Sequence, residues 1–140
     1  MNKVLLKTDF DYNFILIAIS CPLKDYRICH FINKYSGLNL EKGEDYRVFI
    51  PQLQKTFPFS FYQHIEEELE TEFYLLANRG EGEGVLIPEM KTSDYFLIIK
   101  NFIDDEDLQL LLQSINQITE VVVASEIRPD KLKSRENLIF

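Results

Sequence analysis

The sequence predicts an α+β fold, a ferredoxin-like two-layer sandwich with an inserted β-hairpin and two helices on a mainly antiparallel sheet. Three observations predict it. Two segments with a helical apolar stripe each lie between apolar strand-like runs. Short runs typical of strands separate these two halves, and Gly or Pro residues mark most of the boundaries. The order strand, helix, several strands, helix, strand allows both halves to share one sheet.

The first half begins with a strand that is apolar at every position from residue 14 to residue 19, as in a central strand covered on both faces. Pro22 is predicted to open the first helix, because the first turn leaves its amides unpaired in any case. Gly37 is predicted to end it. The buried stripe of this helix is predicted to consist of Ile28, Phe31, Ile32 and Tyr35.

The middle of the chain reads as a meander of strands. Residues 46 to 50 form a short strand that Pro51 ends. Residues 57 to 65 alternate apolar and polar side chains, which predicts one half-buried strand. An acidic turn at residues 66 to 68 joins that strand to residues 72 to 78, in an antiparallel hairpin.

The second half has the same strand–helix–strand order as the first, without a repeat in the sequence. Residues 80 to 84 contain three glycines and predict a flexible loop, and residues 95 to 100 predict a buried strand. Asp104 is predicted to cap the second helix, and residues 121 to 124 to form the last strand. The apolar face of this helix consists of Leu108, Leu111, Leu112, Ile115 and Ile118. We therefore expect one domain over residues 1–128 and a charged C-terminal tail over 129–140.

The charge balance limits the class of partner. Fifteen basic residues face 23 acidic ones, for a net charge of −8. This opposes binding to nucleic acid or to an anionic membrane, because both require a positive surface. The basic residues of the tail are Arg128, Lys131, Lys133 and Arg135, and they predict a solvated terminus. We found no run of about 20 apolar residues, and we expect a soluble cytoplasmic protein.

The cysteines and histidines point to no catalytic or metal site. Cys21 and Cys29 suit neither a disulfide framework nor a common zinc spacing, so we expect both to be reduced and packed. Arg27 and His30, with Asp25, could line a small anion site on the first helix. We predict no metal, no cofactor and no catalytic residue.

The most informative segment is residues 87 to 95, which places a Pro and two carboxylates directly before an apolar strand. Such a segment predicts an ordered turn. We expect Asp94 to cap the turn by accepting backbone amides, Glu89 to pair with a Lys or Arg, and Tyr95 to pack its ring on the core. The alternative is that Glu89 and Asp94 form a carboxylate pair for acid–base work or a divalent cation.

This segment resembles the namesake motif of the IPExxxVDY family, a group of small bacterial proteins named for the motif rather than for an activity. Ile87, Pro88, Glu89, Asp94 and Tyr95 match the motif, and Ser93 stands where the pattern has Val. The resemblance implies a small bacterial protein, and it supplies no substrate, cofactor or catalytic residue.

With two helices on one face of the sheet, the other face needs a cover, so we expect a homodimer that pairs the aromatic middle strands. The expected function is a non-catalytic protein-interaction or accessory module. It would use the sheet and the turn at residues 87 to 95 as a docking surface for an unknown protein partner. The alternatives are a regulatory domain that senses a small metabolite and a small enzyme that uses Glu89 or Asp94 as acid or base.

Overall fold

The computed structural model describes residues 14–80, 82–138 and 140. The first 13 residues of the predicted domain and Glu81 of the glycine-containing loop therefore lie outside the described residues. None of the helices within these described ranges is long and apolar enough to cross a lipid bilayer.

Eight strands and two α-helices make up the described part of the chain. The strands are β1 (Ile15–Ser20), β2 (Glu41–Lys42), β3 (Tyr46–Ile50), β4 (Lys55–Phe59), β5 (Phe61–Glu66), β6 (Thr71–Ala77), β7 (Tyr95–Lys100) and β8 (Val123–Ile127). The helices are α1 (Asp25–Ser36) and α2 (Asp105–Asn116). Short 3₁₀ turns cover Pro51–Leu53, Pro88–Met90, Pro129–Lys131 and Arg135–Leu138.

Six of the strands form one sheet in the order β2-β5-β6-β7-β1-β8, and every neighbouring pair is antiparallel. Within it, the strand order β8-β1-β7-β6 is that of the ferredoxin-like core. In this order the strands of the first half, β1 and β6, alternate with the strands of the second half, β7 and β8. The remaining strands β3 and β4 form a separate two-stranded sheet. The predicted fold class is confirmed, including the inserted hairpin.

The central position of β1 explains its continuous apolar sequence. It pairs with β7 on one side and β8 on the other, with Ile17 opposite Leu97. Its side chains alternate between two cores, since Ile17 packs toward the helices and Leu16 packs on the opposite face. Both are fully buried. The helix-side core also contains Ile28, Cys29 and Ile32 of α1 and Leu108, Leu111, Ile115 and Ile118 from α2 and the loop after it.

The second face of the sheet is covered by the chain itself. The β3–β4 hairpin packs on it through Val48, Ile50, Phe57 and Phe59. The C-terminal segment adds Leu132 and Leu138, which are 6% and 0% exposed. We predicted a homodimer because we expected this face of the sheet to be open, and that expectation is wrong. The homodimer itself stays a prediction, now without this support.

The C-terminal tail is only partly as expected. The exposed Arg128, Lys131 and Lys133 fit the expected solvated tail, but its backbone is anchored by two buried leucines.

The single strand predicted over residues 57 to 65 is also wrong. The segment divides at Ser60 into β4, which pairs with β3, and β5, which pairs with β6. The alternation would place Ile65 on the buried side of this strand and Tyr62 on the opposite side. Tyr62 is instead buried in the helix-side core, whereas Ile65 is 45% exposed. The alternation of apolar and polar side chains continues through Ser60. The sequence pattern alone therefore cannot reveal that the residues before and after Ser60 belong to two different sheets.

Helix α1 and the last strand both differ from the prediction in where they begin. Helix α1 begins at Asp25 rather than Pro22, and its predicted stripe residue Tyr35 is 41% exposed. The last strand begins at Val123 instead of residue 121. Gly37 does end α1, in the left-handed conformation (φ 82°) that glycine adopts without strain.

The glycine-containing loop is held by packing rather than left free. Gly80 donates its amide to the carbonyl of Gly84 at 2.9 Å, which closes a tight turn. A Cβ on Gly84 would lie 2.6 Å from Cγ of Phe57 in β4. The absent side chain at Gly84 therefore lets this loop lie directly against the hairpin.

The outer edge of β8 is partly closed by α2. The side-chain amide of Asn116 donates to the carbonyl of Ala124, and its Oδ1 accepts the amide of Ala124, both at 2.9 Å. One side chain thus satisfies both outward backbone groups of a residue in an edge strand.

Candidate functional site

The turn at residues 87 to 95 is organised around Asn78, which directly follows β6. This residue is fully buried. Its Nδ2 donates to the carbonyls of Met90 (3.0 Å) and Ser93 (2.8 Å), and its Oδ1 accepts the amide of Ile87 at 2.7 Å. Its main chain adds bonds to Leu86 (2.7 Å) and Asp94 (2.9 Å). Sequence reasoning missed Asn78, because a single Asn after a strand is typical of an ordinary turn.

The first motif residues fit this arrangement. Ile87 is fully buried in the core on the face of the sheet opposite the helices. Pro88 opens a 3₁₀ turn at a position that needs no amide hydrogen. Ser93, which stands where the motif has Val, is 3% exposed. The turn is therefore anchored in the core at Ile87 and Ser93, whereas Pro88, Glu89, Lys91 and Thr92 between them are exposed.

Asp94 ties the turn to the loop after β1. Its Oδ2 accepts the amide of Cys21 at 2.7 Å, across 73 residues of sequence. Its own amide donates to the carbonyl of Ile19 at 2.8 Å, and Ser20 Oγ donates to the carbonyl of Thr92 at 2.8 Å. Asp94 thus accepts a backbone amide, as the turn interpretation requires. The amide comes from a distant segment, however, and not from Asp94's own turn.

Tyr95 extends the same connection. Its ring is buried in the helix-side core, and its hydroxyl donates to the carbonyl of Leu23 at 2.5 Å. Burial raises the pKa of this phenol, and the nearby carboxylate of Asp25 raises it further. The hydroxyl therefore remains protonated near neutral pH and acts as a fixed donor.

Glu89 holds the C-terminal segment. Its two carboxylate oxygens accept the amide of Ser134 at 2.6 Å and the hydroxyl of Ser134 at 2.9 Å. The expected pairing of Glu89 with a Lys or Arg is wrong, because a backbone amide and a hydroxyl take that place. Burial alone would raise the pKa of Glu89, but the hydrogen bonds, chiefly from the amide of Ser134, outweigh it and lower the pKa.

The motif carboxylates therefore have separate tasks. Asp94 binds the loop after β1, whereas Glu89 binds the C-terminal segment on another side of the turn. A general base needs a pKa near the working pH, and the lowered pKa of Glu89 makes it a weak base. The geometry of the turn is suited to joining segments of the chain.

Arg27 and His30 lie on the exposed side of α1. The guanidinium of Arg27 sits 5.8 Å from the ring centroid of Phe31, and His30 packs edge-on against the same ring at 5.4 Å. Asp25 turns instead toward β5, where its carboxylate accepts the hydroxyl of Tyr62 at 3.0 Å. The three residues proposed to line an anion site therefore divide between two environments.

The remaining candidates are structural. Cys21 and Cys29 are free and buried, as predicted. Burial, with a smaller contribution from Asp25, raises the pKa of Cys29 to about 11, so the thiol is protonated and a poor nucleophile. His64 lies beside Phe73 and 3.8 Å from a carboxylate oxygen of Glu66. Over residues 14–80, 82–138 and 140, no three His, Cys, Asp or Glu side chains are grouped to hold a metal ion.

The turn at residues 87 to 95, here called the motif turn, lies at the start of β7. A groove of about 420 Å³ lies at the opposite end of this strand. One face of α2, the end of α1, the β5–β6 turn and the loop after β7 surround it. Its lining consists of Ser36, Leu38, Glu66, Leu69, Thr71, Phe73, Phe102, Ile103, Asp104, Asp107, Leu110, Leu111 and Ser114. The sequence contains the acidic β5–β6 turn and the acidic start of α2 at Asp104, but it could not show that these two segments lie together.

The rim of this groove combines apolar and acidic groups. Leu69, Phe102 and Leu110 are 65%, 69% and 54% exposed, which is unusual for large apolar side chains. Glu66, Asp104 and Asp107 supply negative charge, and none of the described residues that line the groove is a Lys or Arg.

The rim is fixed by hydrogen bonds between its two loops. Thr71 Oγ1 donates to the carbonyl of Phe102 at 2.5 Å, and Asn101 Nδ2 donates to the carbonyl of Glu70 at 2.7 Å. The groove is therefore preformed rather than dependent on a partner for its shape.

Comparison with protein-family models and with curated proteins identifies no relative. The chain matches no protein-family model, and no curated protein matches it. Membership of the IPExxxVDY family stays a prediction that rests on the five matching motif residues.

Proposed function

We propose that the protein is a non-catalytic interaction module, and that the groove beside α2 is its docking surface. The observation that carries this proposal is the exposure of Leu69, Phe102 and Leu110 around one preformed groove. Exposed apolar groups that cluster at a rimmed concavity are typical of binding sites. The hydrogen bonds of the turn at residues 87 to 95 support the non-catalytic part of the proposal. Asp94 and Glu89 accept backbone amides of the chain itself, so both carboxylates already serve to hold the fold.

The docking surface differs from the one expected at the sheet and the motif turn. The sheet face is covered by the β3–β4 hairpin and the C-terminal segment, so it offers a partner little apolar surface. The motif turn contributes indirectly, by holding the start of β7 in place while the groove forms at the other end of the strand.

Affinity capture with matched variants tests the proposal. Purified wild-type protein, Leu110→Ser and Val122→Ser are each used to capture proteins from a lysate of the source cells. Val122 is 78% exposed and is not among the groove-lining residues, so it provides a matched loss of apolar surface. We expect a protein captured by wild type and Val122→Ser to be lost with Leu110→Ser. Identical capture by all three variants, or none by any, would contradict the proposal.

The volume of the groove favours one second function, the sensing of a small metabolite. Ligand pockets commonly enclose about 300–1,000 Å³ with mostly apolar walls and a few polar groups. The groove falls in that range. The hydroxyl groups of Thr71 and Ser114 donate to carbonyls of the chain itself, and their oxygens could still accept a hydrogen bond from a ligand. Native mass spectrometry of the freshly purified protein separates the two functions. A bound small molecule that disappears in Leu110→Ser but not in Val122→Ser would favour metabolite sensing.

The proposed location is the cytoplasm. The support for it is the pair of buried free thiols, because Cys21 and Cys29 are kept reduced most easily in a reducing compartment. The net charge of −8 supports a protein partner over nucleic acid.

A further inference from the structure

We infer that the groove beside α2 binds a short amphipathic helix that carries Lys or Arg on either side of its apolar stripe. This inference deepens the proposed function and rests on it. It names the chemical nature of the partner from the shape, the apolar floor and the charge of the groove.

The floor of the groove is suited to apolar side chains. Phe73 of β6 and Leu111 of α2 are buried at its base, and Ile103 and Leu38 lie half-buried at its sides. A partner that inserts side chains here covers the exposed Leu110 and Phe102 as well. Burial of such groups is the principal source of affinity in helix-in-groove recognition.

The length of the wall indicates a helix of a few turns. Asp107, Leu110, Leu111 and Ser114 line the groove at spacings of 3, 1 and 3 along α2, so one face of this helix forms the wall. From Asp104 to Ser114 there are 10 residue steps, or about 15 Å at 1.5 Å per step. A partner helix laid along it would make contact over about three turns, with apolar anchors at i, i+3, i+4 and i+7.

The charge at the rim selects the flanks of the partner. Glu66 stands on the hairpin side, and Asp104 and Asp107 stand on the α2 side, so both edges of the groove are negative. The hairpin tip adds the exposed Glu67, Glu68 and Glu70. Basic side chains on both flanks of the partner would meet opposite charges, which raises the association rate and fixes orientation.

The same charges oppose a second copy as the occupant. The chain has a net charge of −8, so an identical molecule approaches the acidic rim with like charge.

The acids at the start of α2 also stabilise that helix through its dipole. A neutral substitution therefore has to be checked for stability before its effect on binding is interpreted.

Fluorescence anisotropy with designed peptides tests the inference. The probe is a labelled 14-residue helical peptide with Leu at i, i+3, i+4 and i+7 and Lys at the flanking positions. Two control peptides replace every Lys by Glu, or every Leu by Ser. We expect the Lys/Leu peptide to bind and both controls to bind at least about tenfold more weakly, and binding of the Lys/Leu peptide to weaken as salt is raised from 50 to 200 mM.

Protein variants then locate the site. Leu110→Ser and the double variant Asp104→Asn with Asp107→Asn should each raise the dissociation constant of the Lys/Leu peptide about fivefold or more. Val122→Ser and Glu126→Gln, which change an exposed apolar and an exposed acidic residue outside the groove, should leave it within about twofold. Circular dichroism establishes that each variant is folded.

Two outcomes overturn the inference. Equal binding of the Glu peptide would show that charge does not select the partner, and equal binding by Leu110→Ser would place the peptide elsewhere. If affinity capture still yields a partner that depends on Leu110 while the Lys/Leu peptide does not bind, the interaction module stands and only the basic helix is refuted. Loss of both would refute the proposed function itself.

Discussion

Replacement of Asn78 by Ala is the most direct test of how the motif turn is held together. The change removes three hydrogen bonds, to the carbonyls of Met90 and Ser93 and from the amide of Ile87. Each contributes about 1 kcal/mol net, and a buried amide left without a partner costs about 1–3 kcal/mol more. Because Asn78 and Ile87 are both 0% exposed, we expect the free energy of unfolding to fall by about 4–6 kcal/mol.

Urea unfolding followed by far-UV circular dichroism measures this loss, since the chain contains no Trp for a fluorescence assay. Asn39→Ala is the matched control. Asn39 is exposed and donates to a carboxylate oxygen of Glu41 at 3.2 Å, so its loss should change stability by about 0.5 kcal/mol or less. A loss below about 1 kcal/mol for Asn78→Ala would refute the view that this side chain organises the turn.

If Asn78→Ala does not fold, hydrogen exchange in the wild-type protein provides the same test. The amide of Ile87 is bonded to Asn78 and fully buried, so it should exchange only through large-scale opening. Fast exchange of this amide, comparable with that of exposed loop amides, would show that the turn opens on its own.

The other contacts of the turn and its supporting loop lead to three more predictions. Asp94→Ala should lower the free energy of unfolding by about 1–2 kcal/mol, because the amide of Cys21 loses its acceptor. An unchanged melting temperature would indicate that Asp94 serves a purpose other than folding. Gly84→Ala should cost about 1–3 kcal/mol in a urea titration, because its Cβ would meet the ring of Phe57 at 2.6 Å, and wild-type stability would disprove the close packing. Glu89 has a lowered pKa in the folded protein, so its stabilising effect is present above its unfolded pKa of about 4.3 and is lost as pH falls through the folded value. The melting temperature of Glu89→Gln should therefore lie below that of the wild type at pH 6 and approach it near pH 3, and a difference independent of pH would contradict the assignment.

Most of the fold follows from local patterns in the sequence. The apolar run of β1, the stripe of α2 and the glycine at the end of α1 each predict one structure, because a single physical cause acts within a few residues. The division at Ser60 has no such local cause. Residues on either side continue the same alternation, and only pairing with β3 and β6, at other places in the chain, separates them.

The site was less accessible to prediction than the fold. Sequence placed Asp94 and Glu89 in an ordered turn, but their partners are Cys21 and Ser134, which lie 73 and 45 residues away. Contacts at such separations depend on the sheet order rather than on local composition. The groove depends on the same information, because Leu69 and Leu110 become neighbours of one cavity only after the sheet and α2 are assembled.

The amide of Asn116 has a consequence for self-association. By bonding both main-chain groups of Ala124, it stands in for a seventh strand at that point of β8. An extended peptide, or the β8 of another molecule, could add to this side only after displacing the amide and leaving it without those two bonds. Growth into fibrils from this border is therefore opposed by a single side chain, which allows the sheet to end in solvent without becoming a template.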